Sequence, residues 1–107
     1  MNLHPEPFES IKSGRKDIEM RLFDDRRKNI KIGDTIVFTN NKTSEKLSVE
    51  VINLYRFDNF EELYSHFDKT RLGYSGDEIA NPKDMEKYYS VDAILHYGVL
   101  AIEIKLK

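Results

Sequence analysis

The stretch Gly14–Arg21 constrains the fold more than any other part of the chain. Its glycine is suited to end a short helix, and over Asp17–Phe23 apolar and polar side chains alternate, as they do in a β-strand. The apolar side chains that share one face are Ile18, Met20 and Leu22. Glu19 and Arg21 stand side by side on the opposite face, with Lys16 just before the strand. The strand therefore presents two cations and an anion together, a group that can hold a phosphate or a base edge, or polarise an amide.

Two plainer explanations of these charges stay open at the level of sequence. Alternating charges on an exposed strand usually form a solvated surface, where each ion pair contributes about 0–1 kcal/mol. Glu19 and Arg21 can instead form a buried pair in a structural network that closes a β-barrel. In both explanations the residues would have no ligand.

The composition predicts one domain that spans residues 1–107. Hydrophobic residues make up 39% of the chain, and no apolar run approaches the roughly 18 residues of a membrane span, so we expect no membrane partner. The first residues lack the basic start and apolar core of a signal peptide. The absence of cysteine excludes disulfides and thiol catalysis, and fits a cytoplasmic protein. The histidines His4, His66 and His96 lack the spacing of metal ligands, so we expect no metal and no other cofactor.

Charge is distributed unevenly along the chain, whose net charge is −2. Arg15–Lys31 holds seven basic and four acidic residues, a local excess of +3, whereas Arg56–Lys107 holds seven basic and ten acidic residues. The overall charge argues against a strong general DNA-binding protein. The basic segment suggests a small anionic ligand or a short nucleic-acid contact, although an ordinary fluctuation of surface charge explains it too.

Alternating segments predict the strands of one sheet. Four strands are expected to share a barrel-like sheet, over residues 17–23, 35–39, 46–57 and 99–106. Within Lys46–Phe57 the alternation changes phase after Val51, which indicates a β-bulge or a bend between two parts of a barrel. In the last strand, the side chains expected to face inward are Leu100, Ile102, Ile104 and Leu106.

Short helices and one loop are predicted between these strands. Helical segments are expected over residues 5–13, from Asp58 or Asn59 to Phe67, after Pro82, and from Ser90 to Gly98. Residues 71–80 contain two glycines and are expected to form a loop. These elements favour the α+β class, with a small mixed β-barrel and short flanking helices.

Several segments together follow the pattern of a known family. The spacing Gly14-x-Lys16-x-x-Glu19-x-Arg21 matches a family signature. Further matching segments are His4–Phe8, Arg21-Leu22-x-Asp24-Asp25-x-Arg27, Ile32–Phe38 and Tyr97–Ile102. Over nearly its whole length the chain resembles small bacterial proteins of the ASCH family, the domain named after activating signal cointegrator homology. The resemblance implies a PUA-like fold, with a cleft beside the barrel where the signature residues gather.

The resemblance also implies a binding function, with RNA, a nucleotide or a nucleoside as the partner. In this hypothesis Lys16 and Arg21 contact phosphate or carbonyl oxygens, and Glu19 accepts a hydrogen bond from the exocyclic amine of a base. The basic residues that would extend the contact along a backbone are Arg26, Arg27 and Lys28. Some of the six tyrosines and six phenylalanines can stack on bases, although their spacing favours the core.

An enzymatic alternative comes from one branch of the same family, small amidohydrolases that remove the acetyl group from N4-acetylcytidine. That branch is marked by a lysine, a threonine three residues later and a distant glutamate. Lys16 matches the lysine, but Glu19 stands at the position of the threonine. Candidates for the distant carboxylate are Glu62, Asp68 and Glu78. In a metal-independent enzyme of this kind, Lys16 and Glu19 would be catalytic, with Glu19 activating water and Arg21 stabilising the oxyanion.

Overall fold

One mixed β-sheet organises the protein, whose computed structural model describes residues 1–107. Its strands are β1 (Asn2–Leu3), β2 (Ile18–Leu22), β3 (Thr35–Asn40), β4 (Lys46–Phe57) and β5 (Val99–Leu106). They lie in the order β1-β3-β4-β5-β2, with β1 parallel to β3 and the other neighbours antiparallel. The sheet curls into a half-barrel of the PUA-like type, which confirms the predicted α+β class and the four predicted strands. Sequence patterns missed β1, because two residues are too short to show alternation.

Short helices pack on this sheet and begin and end where local signals favour it. They are α1 (Pro5–Lys12), α2 (Phe60–His66), α3 (Val91–Tyr97) and two 3₁₀ helices, Lys69–Leu72 and Pro82–Lys87. The Asn59 side chain accepts a hydrogen bond from the Glu62 amide at 2.9 Å, and Ser90 accepts one from the Ala93 amide at 3.1 Å. Both caps satisfy amides that the first turn of a helix leaves free. No helix in the structure is both long and apolar enough to cross a membrane.

The predicted change of phase in β4 is a β-bulge. The pairing of β4 with β5 shifts register between Val51 and Asn53. Before the bulge, Val49 and Val51 pack in one core, and after it Tyr55 and Phe57 pack against a second core on the other face of the sheet. The extra residue thus lets one strand supply odd-numbered side chains to both faces.

The two cores occupy opposite faces of the sheet. On one face, α1 covers a core of Leu3, Phe8, Ile11, Ile36, Phe38, Val49, Val51, Leu100, Ile102 and Ile104. On the other face, α2, α3 and both 3₁₀ helices cover a core that includes Ile18, Met20 and Leu22 of β2. Leu106 lies on the predicted inward face, opposite the buried Val49, but it is not buried. It is 41% exposed, because it lies beside Ile52 in a shallow groove that stays open to solvent.

Gly98 provides a test of the junction between α3 and β5. Its φ of +72° and ψ of −176° belong to a region that only glycine adopts readily, and a Cβ there would lie 3.1 Å from the Phe57 carbonyl oxygen. We expect Gly98→Ala to lower the free energy of unfolding by about 1–3 kcal/mol, measured by chemical denaturation. Gly76→Ala is the matched control, since its Cβ would meet nothing within 4 Å. Equal stability of the two variants would contradict this account.

Candidate functional site

Lys16, Glu19 and Arg21 converge in a buried cluster. Lys16 Nζ lies 3.1 Å from Glu19 Oε1, and Arg21 Nη2 lies 2.8 Å from Glu19 Oε2, which also accepts from Arg21 Nε at 2.9 Å. The three side chains are 8%, 4% and 13% exposed. The interpretation of these charges as a solvated surface was therefore wrong.

The position of β2 at the edge of the sheet brings Arg21 close to the opposite edge. Alternation turns Glu19 and Arg21 away from the core that holds their neighbours in the strand. Arg21 Nη2 also approaches the Asn2 carbonyl oxygen in β1, at 3.4 Å. Because β1 and β2 are the two ends of the sheet order, the Arg21 side chain spans the gap that the curled sheet leaves open.

Two packed segments hold Lys16 in place. Its amide donates to the Ser10 carbonyl in α1 at 3.0 Å. On the other side lies Gly73, where an added Cβ would come within 3.2 Å of Lys16 Cδ. The neighbouring Asp17 is tied to Arg71, in the 3₁₀ helix that ends just before Gly73, by contacts of 2.8 Å and 3.2 Å between the carboxylate and the guanidinium. Lys16 thus has little room to leave Glu19.

Charge pairing keeps Glu19 ionised. Burial opposes its ionisation, but the charges of Lys16 and Arg21 and their hydrogen bonds outweigh that effect and hold the pKa of Glu19 below its usual value. Burial likewise opposes the charge of Arg21, and the Glu19 carboxylate more than compensates, so the pKa of Arg21 is raised. The three groups together carry one net positive charge.

A cavity of about 650 Å³ opens beside this cluster, and all three charged residues line it. One wall comes from residues 2–10, around β1 and α1, and the other from residues 64–89. Four tyrosines contribute to the lining: Tyr64, Tyr74, Tyr88 and Tyr89. Sequence spacing assigned most aromatic residues to the core, and Tyr64, Tyr74 and Tyr89 do pack against it. It did not predict that they and Tyr88 also line a cavity. The adjacent pair Tyr88 and Tyr89 was the available signal, because two consecutive side chains seldom both enter a core.

Tyr74 lies at the centre of a hydrogen-bonded group in the wall. Its hydroxyl is 2.8 Å from the Tyr64 hydroxyl and donates to Asp84 Oδ2 at 2.8 Å. Burial, followed by the hydrogen bonds to Tyr64 and Asp84, raises the pKa of Tyr74. The phenol therefore stays protonated at neutral pH, and this part of the wall is polar but rigid.

The three basic residues predicted to extend the site lie in different surroundings. Arg27 lines the cavity and pairs with Asp24 Oδ2 at 2.6 Å. Arg26 is exposed and lies outside the cavity lining. Lys28 is exposed as well, 3.3 Å from the Asp25 carboxylate, and it does not line the cavity.

Among the candidates for a distant carboxylate, only Glu78 lines the cavity. Its Oε1 accepts from the Ser75 amide at 2.8 Å, and hydrogen bonds from Ser75 lower the pKa of Glu78. Asp68 accepts from the Thr70 amide at the start of a 3₁₀ helix, and Glu62 accepts from the Asp58 amide near α2. Those two carboxylates serve local structure.

A curled mixed sheet with a charged cavity at one edge strand defines a PUA-like domain, and comparisons with known proteins narrow that class. The family model of the ASCH domain matches residues 1–107. The chain therefore belongs to the ASCH domain family, as its sequence pattern predicted. The search of curated proteins found no match to the sequence.

Two solved structures resemble this one closely. The crystal structure of hypothetical protein PH0355 has a TM-score of 0.80 at 32% sequence identity, covering 100% of this chain and 96% of that one. The solution NMR structure of protein PF0455 from Pyrococcus furiosus has a TM-score of 0.70 at 32% identity, covering 99% of this chain and 94% of that one. The likeness thus extends over the whole fold, including the elements that form the cavity.

Glu19 provides a test of the buried cluster. Glu19→Gln leaves two buried cations without an anion, so we expect the free energy of unfolding at pH 7 to fall by about 3–5 kcal/mol, measured by urea denaturation. Glu45→Gln is the control, because Glu45 forms an exposed pair with Lys12 at 2.6 Å, and we expect little change.

The same carboxylate predicts a dependence on pH. A pKa lower in the folded than in the unfolded state stabilises the protein above the unfolded value, about 4.3 for glutamate, and the contribution disappears as pH falls through the folded pKa. Stability of the wild type should thus decline below about pH 4.3, and more steeply than that of Glu19→Gln. Parallel pH profiles of the two proteins would contradict a lowered pKa at Glu19.

Proposed function

We propose that the cavity binds RNA or a nucleotide, one base at a time, through the cluster of Lys16, Glu19 and Arg21. The observation that carries this proposal is the position of Glu19, an ionised carboxylate fixed between two cations in the wall of a cavity of about 650 Å³. That volume is in the range of small-molecule sites, which are roughly 300–1,000 Å³. Membership of the ASCH family supports the same function.

Hydrogen-bonding capacity left in the cluster suits a base edge. A lysine ammonium has three N–H donors, and Lys16 uses one on Glu19. Lys16 is 8% exposed and lines the cavity, so its other two donors are available to a carbonyl oxygen of a ligand there. Glu19 Oε2 already accepts two hydrogen bonds from Arg21, but Oε1 keeps a further lone pair that can accept from an exocyclic amine. A donor beside an acceptor is the pattern that discriminates between bases.

Aromatic rings at the opening of the cavity can hold the flat face of a base. Tyr88 is 57% exposed, and its ring centroid is 6.2 Å from that of the exposed His4. The two side chains come from opposite walls, and both line the cavity. Stacking of a base on such rings contributes about 1–3 kcal/mol.

The proposal is narrower than the sequence-based hypothesis in one respect. Arg27 is included because it lines the cavity. Arg26 and Lys28 are left out because both are exposed and neither lines the cavity.

Amide hydrolysis is less favoured by the geometry. A general base has to accept a proton, and Glu19 has a lowered pKa with both oxygens engaged by cations. The only other predicted carboxylate in the cavity, Glu78, also has a lowered pKa. Hydrolysis of an acylated cytidine is therefore the competing outcome in the experiment that follows.

Lys16 provides the test of binding. We expect Lys16→Met to weaken binding of short single-stranded RNA by about tenfold, because it removes one charge-assisted hydrogen bond. Fluorescence anisotropy with labelled oligonucleotides measures the effect, and circular dichroism checks that the variant is folded. Lys12→Met is the matched control, since Lys12 is exposed on α1 and does not line the cavity.

The salt dependence and a turnover assay complete this test. Few phosphates fit near the cavity, so we expect a shallow salt dependence. The logarithm of the RNA association constant should fall by about 0.7 per phosphate contacted for each tenfold rise in salt concentration. The same proteins are incubated with N4-acetylcytidine. Product formation that is lost in Lys16→Met would replace the binding proposal with the hydrolase. Equal RNA affinity in Lys16→Met and Lys12→Met would overturn the proposed role of the cluster.

A further inference from the structure

Two mostly buried arginines from different segments line the same cavity. Arg21 belongs to β2, and Arg27 to the turn that follows it, and each side chain is 13% exposed. Each is paired with a carboxylate, Arg21 with Glu19 at 2.8 Å and Arg27 with Asp24 at 2.6 Å. The carboxylates already hold both guanidiniums in place. A ligand that binds them therefore loses little affinity to the ordering of flexible side chains.

Both guanidiniums keep unused donors. Arg21 contacts its protein partners through Nε and Nη2, and Arg27 contacts Asp24 through Nη1. Arg21 also has the Tyr89 hydroxyl as a partner. Nε and Nη2 of Arg27 have no partner in the protein, and they are accessible because no buried side-chain nitrogen lacks one. The planar fork of arginine matches the oxygens of a phosphate, and paired contacts of this kind are among the stronger hydrogen bonds in proteins.

Tyr89 adds a neutral donor beside these arginines. Its ring lies nearly parallel to the buried Phe60 ring, with centroids 6.2 Å apart and planes 12° apart, and its amide donates to the Met85 carbonyl at 3.1 Å. The ring is thus held by the core while the residue lines the cavity. Burial raises the pKa of Tyr89, although Arg21 and Arg27 oppose the shift, so the hydroxyl is protonated and can donate at neutral pH.

Two carboxylates lie elsewhere in the lining of the cavity. Glu78 and Asp84 line the cavity from the segment that follows Gly73, the residue packed on the stem of Lys16. Asp84 is fixed there by the Tyr74 hydroxyl at 2.8 Å. Carboxylates repel an anion but accept from the amino groups of a base. Among the cations that line the cavity, Lys16, Arg21, Arg27 and Lys87, only the two arginines present a planar fork, so they are the best partners for a phosphate.

We propose that Arg21, Arg27 and Tyr89 form a phosphate subsite, and that the ligand enters with its phosphate at this end and its base towards Lys16. This inference rests on the proposed function and deepens it. The ligand class becomes a phosphorylated nucleoside, either a mononucleotide or a unit of RNA, and a free nucleoside fills only part of the site.

Arg27 provides the test, by isothermal titration at low salt. The probes are the four common ribonucleosides, their 5′- and 3′-monophosphates, the corresponding dinucleotides with one internal phosphodiester, and inorganic phosphate. We expect wild type to bind the best monophosphate or dinucleotide about tenfold more tightly than its nucleoside. In Arg27→Gln the affinity for the phosphorylated probe should exceed that for its nucleoside by no more than about threefold. Tyr89→Phe should lower it partly, with no change in charge.

Arg26→Gln is the matched control, because Arg26 is an exposed neighbour outside the cavity, and its preference should equal that of wild type. Arg27→Lys keeps the positive charge but lacks the planar guanidinium, so we expect an intermediate preference. It takes the place of Arg27→Gln if that variant is unstable. Tighter binding of dinucleotides than of monophosphates would identify RNA as the source of the phosphate. Tighter binding of monophosphates would identify a free nucleotide.

The outcomes separate this inference from the function on which it rests. Equal affinity for nucleosides and their phosphorylated forms would overturn the subsite and leave the proposed function standing. Binding of inorganic phosphate that Arg27→Gln abolishes, with no nucleotide or dinucleotide bound more tightly than inorganic phosphate, would support the subsite and overturn the proposed function. A preference unchanged in Arg27→Gln, or no binding of any phosphorylated probe, would overturn the subsite.

Discussion

The contact of one buried carboxylate with two cations is the interaction on which the rest of the structure depends. Removing Glu19 from water is costly, and a single cation rarely compensates fully. Here Lys16 and Arg21 each engage a different oxygen, at 3.1 Å and 2.8 Å. Because the two cations come from the turn before β2 and from β2 itself, the carboxylate fixes the place where the chain enters the sheet.

This cluster also explains why the cavity exists. The two edge strands of the sheet are β1 and β2. No backbone hydrogen bonds pair them, but the Arg21 side chain of β2 reaches the Asn2 carbonyl oxygen of β1 at 3.4 Å. Paired strands lie about 4.8 Å apart and would leave no space between them. A link through a long side chain keeps the edges apart, and the cavity occupies the gap. The structural role proposed for Glu19 and Arg21 and a binding role are therefore compatible.

Sequence patterns predicted the strands because alternation and caps are local. They assigned Glu19 and Arg21 to one face, but they left open whether that face was covered. Part of that face is covered by residues 64–89, which are remote in sequence and consist of short 3₁₀ helices and turns after the end of α2. The basic residues 26–28 are another case that the sequence could not resolve. Side chains in a turn follow no regular period, so the sequence could not show that Arg27 faces the cavity and Arg26 does not. In the structure, the ion pair of Arg27 with Asp24 holds the Arg27 side chain in place.

A second chain of contacts connects the bulge in β4 to the cluster. Asn53 donates to the Tyr55 hydroxyl at 2.9 Å, and that hydroxyl donates to Glu103 at 3.0 Å. Glu103 accepts from Arg71 at 2.9 Å, and Arg71 pairs with Asp17 at 2.8 Å, next to Lys16. Ion pairs that keep this much contact with water, with side chains 20–38% exposed, stabilise only modestly by themselves. Their effect here is positional, because Arg71 leads into the loop of Gly73, which packs against Lys16. The bulge thus takes part in placing the cation at the far side of the cavity.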